Sequence, residues 1–395
     1  MERGIPDMQH VSTKPDRLAK WLDITGELAD KFALGAEEID RAGRFPHENF
    51  QLLKDAGYLA LTVPRIYGGE EISLYELVIL QERLAQGDAA TALAIGWHLS
   101  VMMDLAIMRP WDEAIFAEVC RGVVEDKKLL NRAASEAATG SPTRGGRPQT
   151  TAYKVNGGWE LCGRKTFTTL SKALDYIIVS AVIDGTDDVV YFLVPGSATG
   201  ISFDETWDTL GMRGTASHDM ILDHVFVPEE ANLHEPARNG GKQKHAGWLL
   251  HIPACYLGIA TAARNYALQY ASSYSPNSGS GPIANQPNTR SLIGQMELEW
   301  LTARNLLHAV AKRFDEDRDD PALAGDLAAV KHVVTNHAIS IVDRAMRIAG
   351  GQSLYRKHPL ERYYRDVRAG LHNPPMDDMT IGLLANLALK PYSAE

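Results

Sequence analysis

Cysteine is scarce in this chain: Cys120, Cys162 and Cys255 are its only three among 395 residues, far apart and without a CxxC pair. That excludes a disulfide framework and a zinc ribbon, and it fits a reducing compartment. No run reaches the roughly 18 consecutive apolar residues of a membrane span. The opening MERGIPDMQHVSTKPDRLAKWL has no apolar core of a secretory signal. A basic excess is missing too. Forty Lys and Arg against fifty Asp and Glu give a net charge of −10 and a pI near 5.7. This argues against a nucleic-acid surface but leaves room for a local basic pocket. A cytoplasmic protein without membrane or nucleic-acid partners is the expectation.

The common chemical signatures are also absent. No GxGxxG follows a strand, and there is no Walker loop, no HExxH and no nucleophile elbow in strand–turn–helix context. His332 and His337 stand five apart and do not share a helix face, so no metal site is expected there. Any chemistry therefore belongs to a cofactor held between domains.

What the chain does have is 45% apolar and 23% charged residues, an ordinary globular balance at a length that calls for two or three domains. After a loose tail over residues 1–15, the pattern is helical from about Asp16 to Cys120. HENFQLLKDAGY closes a helix at Gly57. Leu77, Leu80 and Leu84 make the stripe of a second helix, and a third runs from about Thr91 to Met108. Near Asn131 the character changes to β-type runs: TAYKV, WELCGRKTF, YIIVSAVI, VVYFLVP and MILDHVFVP. In YIIVSAVI, Ile177, Val179, Ala181 and Ile183 share one face of a half-buried strand. No helix interrupts these runs, so an antiparallel barrel or sandwich is predicted rather than βαβ units.

Helices resume after a linker. Leu249, Ile252, Tyr256, Ile259, Ala263 and Tyr266 form one apolar face. Ala303, Leu306, Leu307, Val310 and Phe314 form another, and Asp320-Pro321 reads as the start of a third long helix. The predicted fold is α+β, mainly α. It has an N-terminal helical domain over 1–128, a central antiparallel β-barrel domain over 129–233 and a C-terminal four-helix bundle over 234–395.

The stretch from Ala345 to Pro375 draws these together. Gly350-Gly351 permits a turn or a close backbone approach. Pro374 and Pro375 push Asn373 out of helical geometry, so His372 and Asn373 sit at a polar break between apolar helices.

Four ordered blocks resemble the acyl-CoA dehydrogenase superfamily: ASEAATGS (134–141), GRKTFTT (163–169), WDTLGMRGTASHDMILDHVFVP (207–228) and AGGQSLYRKHPLERYYRDVR (349–368). The resemblance implies a flavin, FMN or FAD, between the β domain and the C-terminal helices, and a homotetramer. Ser135, Phe167, Thr168 and Thr169 would hold the ring, and Arg347, Gly350 and Gly351 its phosphate end. Ser141 and Asn373 would lie beside the substrate.

Two departures from the family matter. Its catalytic Glu falls at about Pro374 or Trp248 here, and neither AGLHNPP nor AGWLLHIPACYLG contains an acid. Asp377 and Asp378 are the nearest replacements. The Arg-Phe-Gly and Gln of the FAD cradle are missing, which leaves Arg290 or Arg347 for a phosphate. RDVRAGLHNPP resembles instead a branch that hydroxylates small molecules with reduced flavin and oxygen. That branch uses no Glu, and its pattern implies His372 and His98 as catalytic residues. Three functions follow. The first is a monooxygenase fed by a separate flavin reductase. The second is an acyl-CoA dehydrogenase with a displaced base, FAD and an electron-transfer flavoprotein partner. The third is a flavin- or acyl-binding protein without turnover.

Overall fold

A computed structural model describes residues 17–139, 145–233, 247–277, 279 and 281–392. Five helices come first: α1 (Arg17–Ala42), α2 (His47–Asp55), α3 (Leu74–Ala85), α4 (Ala89–Met108) and α5 (Glu113–Val124). Gly57, expected to close a helix, follows α2 in the left-handed region at φ 74°. α3 begins with a capping box in which Ser73 and Glu76 satisfy each other's backbone N–H groups. α4 is buried on nearly every face. It alone among the described helices is long and apolar enough to cross a membrane, and here it is a core helix.

Seven strands then form one curled sheet: β1 (Leu130–Ala133), β2 (Thr151–Val155), β3 (Gly158–Thr168), β4 (Tyr176–Ile183), β5 (Val189–Pro195), β6 (Ile201–Asp204) and β7 (His218–Pro228). β2 and β3 form a hairpin across Asn156-Gly157, with Gly157 at φ 80° as a tight two-residue turn requires. β3–β7, β6–β7 and β4–β5 are antiparallel, as expected. β4, however, runs parallel to both β1 and β2. The expected half-buried β4 is buried on both faces. It lies between β5 and the β1 and β2 strands, and on its second row Ser180 accepts a hydrogen bond from Lys165 (3.1 Å).

The C-terminal unit contains α6 (His251–Ser273), α7 (Pro287–Glu316) and α8 (Leu323–Ala349), with the shorter α9 (Leu360–Val367) and α10 (Asp377–Leu389) packed on α8. The expected apolar faces are the packed ones: Ile252, Tyr256, Ile259 and Ala263 are buried on α6, and Leu307, Val310 and Phe314 on α7. α8 starts at Leu323 rather than at Pro321. Asp320 accepts instead from the N–H of Ala322 (2.9 Å) in the turn ahead of it. α3 crosses α6 so closely that a Cβ on Gly258 would lie 2.5 Å from the carbonyl oxygen of Glu82.

Candidate functional site

The end of β3 and the 207–217 loop form one hydrogen-bonded unit. Thr166 donates its N–H to the carbonyl of Ser135 (2.8 Å), and Asn131 Nδ2 donates to the carbonyl of Thr169 (3.1 Å). The hydroxyls of Thr169, Ser217 and Thr215 form a chain with 2.8 Å links, and Thr215 passes it to the carbonyl of Met212 (3.0 Å). Trp207 Nε1 donates to the same carbonyl (3.0 Å).

Two residues in this unit lack what the rest have. Phe167 sits in the left-handed region at φ 55° and is 65% exposed, edge-on to Trp207 at 6.0 Å. Such a backbone is unusual for an aromatic residue and marks an imposed conformation. Thr168 is buried, and its hydroxyl has no hydrogen-bond partner. An orphaned buried hydroxyl costs about 1–3 kcal/mol unless an outside group satisfies it. A presented aromatic face beside an unsatisfied donor fits a planar heteroaromatic cofactor, and a flavin ring meets both requirements.

The unit is also tied to the bundle. Met212 donates its N–H to Asp366 Oδ1 on α9 (2.6 Å), and a Cβ on Gly211 would sit 2.4 Å from the carbonyl oxygen of Arg365. Burial pushes the Asp366 carboxyl up to about 7. The Met212 N–H and the Arg362 charge oppose that rise, while Asp40 and Asp88 add to it. Six residues further on, His372 is exposed, and its ring has no hydrogen-bond partner among the described residues. Its neighbour Asn373 is fixed from below: buried Tyr256 donates its hydroxyl to Asn373 Oδ1 (2.5 Å), and Gly370 packs on the Tyr256 ring.

His98 has a different environment. It is fully buried. Its Nε2 donates to the carbonyl of Leu59 (3.1 Å), and its Nδ1 accepts the N–H of Leu130 (3.0 Å). Burial lowers its pKa to about 4. Both ring nitrogens are used, so the expected donor on α4 is a neutral clamp between the 58–60 turn and β1. A second unpartnered imidazole, His251, has no counterpart among the sequence candidates. His251, at the start of α6, is fully buried with both nitrogens unpartnered, and burial lowers its pKa to about 3. It stands edge-on to Trp97 at 4.7 Å. Gln81 Oε1 is a further unpartnered acceptor nearby, and both side chains crowd the space above Gly96. Its signal in the sequence is a histidine inside an otherwise apolar helix face.

Also missed was the bond between two motif blocks. Glu136 of ASEAATGS and Lys165 of GRKTFTT form a buried ion pair (2.6 Å). Glu136 also accepts from the Gln149 N–H (2.6 Å) and from the Thr150 N–H and hydroxyl (3.1 and 2.6 Å). Burial lowers Lys165 to about 8 against the pull of Glu136. The pair sets the register between the segment carrying Ser135 and the one carrying Thr168.

The remaining candidates are not gathered at this place. Arg347 lies at the exposed end of α8 and pairs with Asp343 (2.7 Å), with Gly350 and Gly351 just beyond it. Arg290 is exposed near the start of α7. Ser141 lies outside the described residues. Asp377 faces α8, 3.1 Å from His332 Nδ1 and from Asn336 Nδ2, while Asp378 is exposed on the first turn of α10.

A helical domain, a curled sheet and a helical bundle, with an aromatic face and an orphaned donor where sheet meets bundle, define a flavoprotein of the acyl-CoA dehydrogenase fold. Comparison with known proteins agrees over most of the chain. The models of the acyl-CoA dehydrogenase N-terminal, middle and C-terminal domains match residues 24–120, 131–225 and 250–373. A Bacillus subtilis protein named "Putative acyl-CoA dehydrogenase YdbM" is 53% identical over 94% of this chain and 97% of its own length. L-evernosamine nitrososynthase of a Micromonospora species is 28% identical over 88% of this chain and 85% of its own. The crystal structure of FMN-bound TdsC from Paenibacillus sp. A11-2 superposes with a TM-score of 0.85 at 25% identity, covering 94% and 97% of the two chains. The chain belongs to the acyl-CoA dehydrogenase family, whose members are flavin-dependent oxidoreductases.

Proposed function

We propose that this protein is a monooxygenase that takes up reduced flavin from a separate reductase and oxidises a small molecule with oxygen. The observation that carries this reading is the side-chain inventory at the polar break. His372 stands exposed and unpartnered. Among the described residues, neither 368–376 nor the buried first turns of α6 offers a carboxylate. Removal of an α-proton from an acyl thioester needs a base within hydrogen-bond reach. Asp366 is buried against the Met212 N–H, and Asp377 is engaged by α8. The names of the nitrososynthase and FMN-bound relatives support the same direction.

A bound flavin supplies the redox chemistry. Phe167 would offer a face for its ring, Ser135 and Thr169 would fix the backbone around it, and Thr168 would supply the hydrogen bond its hydroxyl lacks. His372, exposed at the polar break, would offer a hydrogen bond to the reacting group. Tyr256 holds Asn373 where it can meet the substrate.

The name of the Bacillus relative favours a second reading, dehydrogenation of an acyl thioester with FAD and an electron-transfer flavoprotein. One experiment separates the two. Under the first reading, oxygen added to the protein with reduced FMN is consumed, and labelled oxygen enters a product. Tightly bound FAD bleached by an acyl-CoA without oxygen would establish the second and end the first.

A further inference from the structure

The outer face of the sheet carries a second cluster, away from the bundle. Glu160 and Cys162 stand two apart on β3 and so point to the same side. β7 would ordinarily place only one of Asp223 and His224 on that side. The pairing jumps from Leu161↔Val225 to Gly163↔Leu222, so both residues of β7 oppose Cys162 alone. This is a β-bulge, and it re-aims a side chain at the cost of a strained residue. His224 is that residue, at φ 52°. The flanking Leu161, Val225 and Leu222 remain in the core. The bulge thus delivers an imidazole beside a thiol and a carboxylate. His224 Nδ1 bonds Glu160, and ligand atoms of Glu160, Cys162 and His224 all lie within 4.8 Å of one another.

We propose that Glu160, Cys162 and His224 bind one zinc ion, which pins β3 to β7 at the bulge. Sulfur, nitrogen and oxygen together form a borderline-soft donor set that favours zinc over magnesium or calcium. Ligand atoms around tetrahedral zinc stand about 3.5 Å apart, given bonds of about 2.0–2.3 Å. Glu160 and His224 are on a solvent-facing surface and reach that spacing by side-chain rotation. Three protein ligands leave the fourth position to water. The thiol gives up its proton on binding, and the ion replaces the contact between His224 and Glu160. Cys120 and Cys255 are buried and cannot substitute for Cys162.

Cobalt is the probe. Titration of the purified, chelator-treated chain with Co2+ should saturate at one equivalent, with a thiolate-to-cobalt charge-transfer band and the intense visible bands of a tetrahedral ion. Zinc should displace it with a dissociation constant at or below roughly 1 μM, and should raise the melting temperature. Cys162→Ser should abolish the charge-transfer band. His224→Gln and Glu160→Gln should each weaken zinc binding at least about tenfold, since losing a direct ligand costs no less than losing an outer-shell partner. All three variants should keep the wild-type circular dichroism and the metal-free melting temperature to within a few degrees. Absence of a thiolate band, zinc binding only far above roughly 100 μM, or unchanged affinity in Cys162→Ser would each overturn the proposal.

Discussion

His98 and His372 show how far surroundings decide what one side chain can do. Both are histidines at positions that the motif pattern marks. His98 has both nitrogens committed to backbone, whereas His372 has neither. Replacement of His372 by alanine should lower product formed per flavin reoxidised severalfold and leave flavin affinity unchanged. Unchanged coupling would remove His372 from the reaction. Thr168→Val tests the orphaned hydroxyl. Flavin affinity should fall about tenfold, the worth of one hydrogen bond, with no loss of stability in the flavin-free protein. Equal affinity would show that the hydroxyl meets no cofactor. Asp366 sets a pH dependence. Its carboxyl titrates near 7 in the folded chain against 3.8 ordinarily. Between those values the folded state holds a proton that the unfolded chain has released. Stability from this group is therefore greatest below about pH 4, falls as pH rises to 7 and is level above it. Asp366→Asn keeps an acceptor for Met212 and should remove this slope, worth on the order of a few kcal/mol, from a comparison of urea midpoints across pH 4–8. Parallel profiles would exclude Asp366 as its source. At this scale residue types and motifs were legible, but partners such as Leu59 for His98 or Met212 for Asp366 come from distant segments that no local pattern announces.

Among the elements, long and periodic ones were legible. The apolar stripes of α3, α6 and α7 are the packed faces, and the runs from TAYKV to MILDHVFVP lie within the five longer strands. β1 and β6 were not legible, since LNRA and ISFD are too short to display alternation. Nor was the parallel pairing of β4, because strand direction depends on how distant segments meet. The start of α3 was half legible. Its Ser73–Glu76 box is local, but the N–H groups of Leu74 and Tyr75 are taken by Asp315 on α7 (3.0 and 2.8 Å). Asp315→Ala should cost about 1–2 kcal/mol and speed hydrogen exchange in the first turn of α3. Unaltered exchange there would mean that the box alone secures the turn.

For the molecule as a whole, Arg365 joins three parts. Its guanidinium grips Asp40 of α1 with two bonds (2.8 and 2.6 Å), donates to the carbonyl of Leu210 in the β-domain loop (3.0 Å) and pairs with Glu361 on its own helix. The motif placed Arg365 in sequence, but only the fold shows that it serves architecture. Arg365→Met should cost about 2–3 kcal/mol, below the fully buried range because the pair is partly exposed. It should also weaken flavin binding through the loop that holds Thr215 and Ser217. A melting temperature within one degree of wild type would contradict this. Overall order also bears on biogenesis. α4 is the one described helix long and apolar enough to cross a membrane, and β1, the 213–215 turn and α6, which cover much of it, are all translated later. While ribosomes are still making the sheet, that greasy cylinder stands without its lid, a natural client for chaperones. A gene cut short before α6 should therefore yield inclusion bodies rather than a soluble amino-terminal fragment.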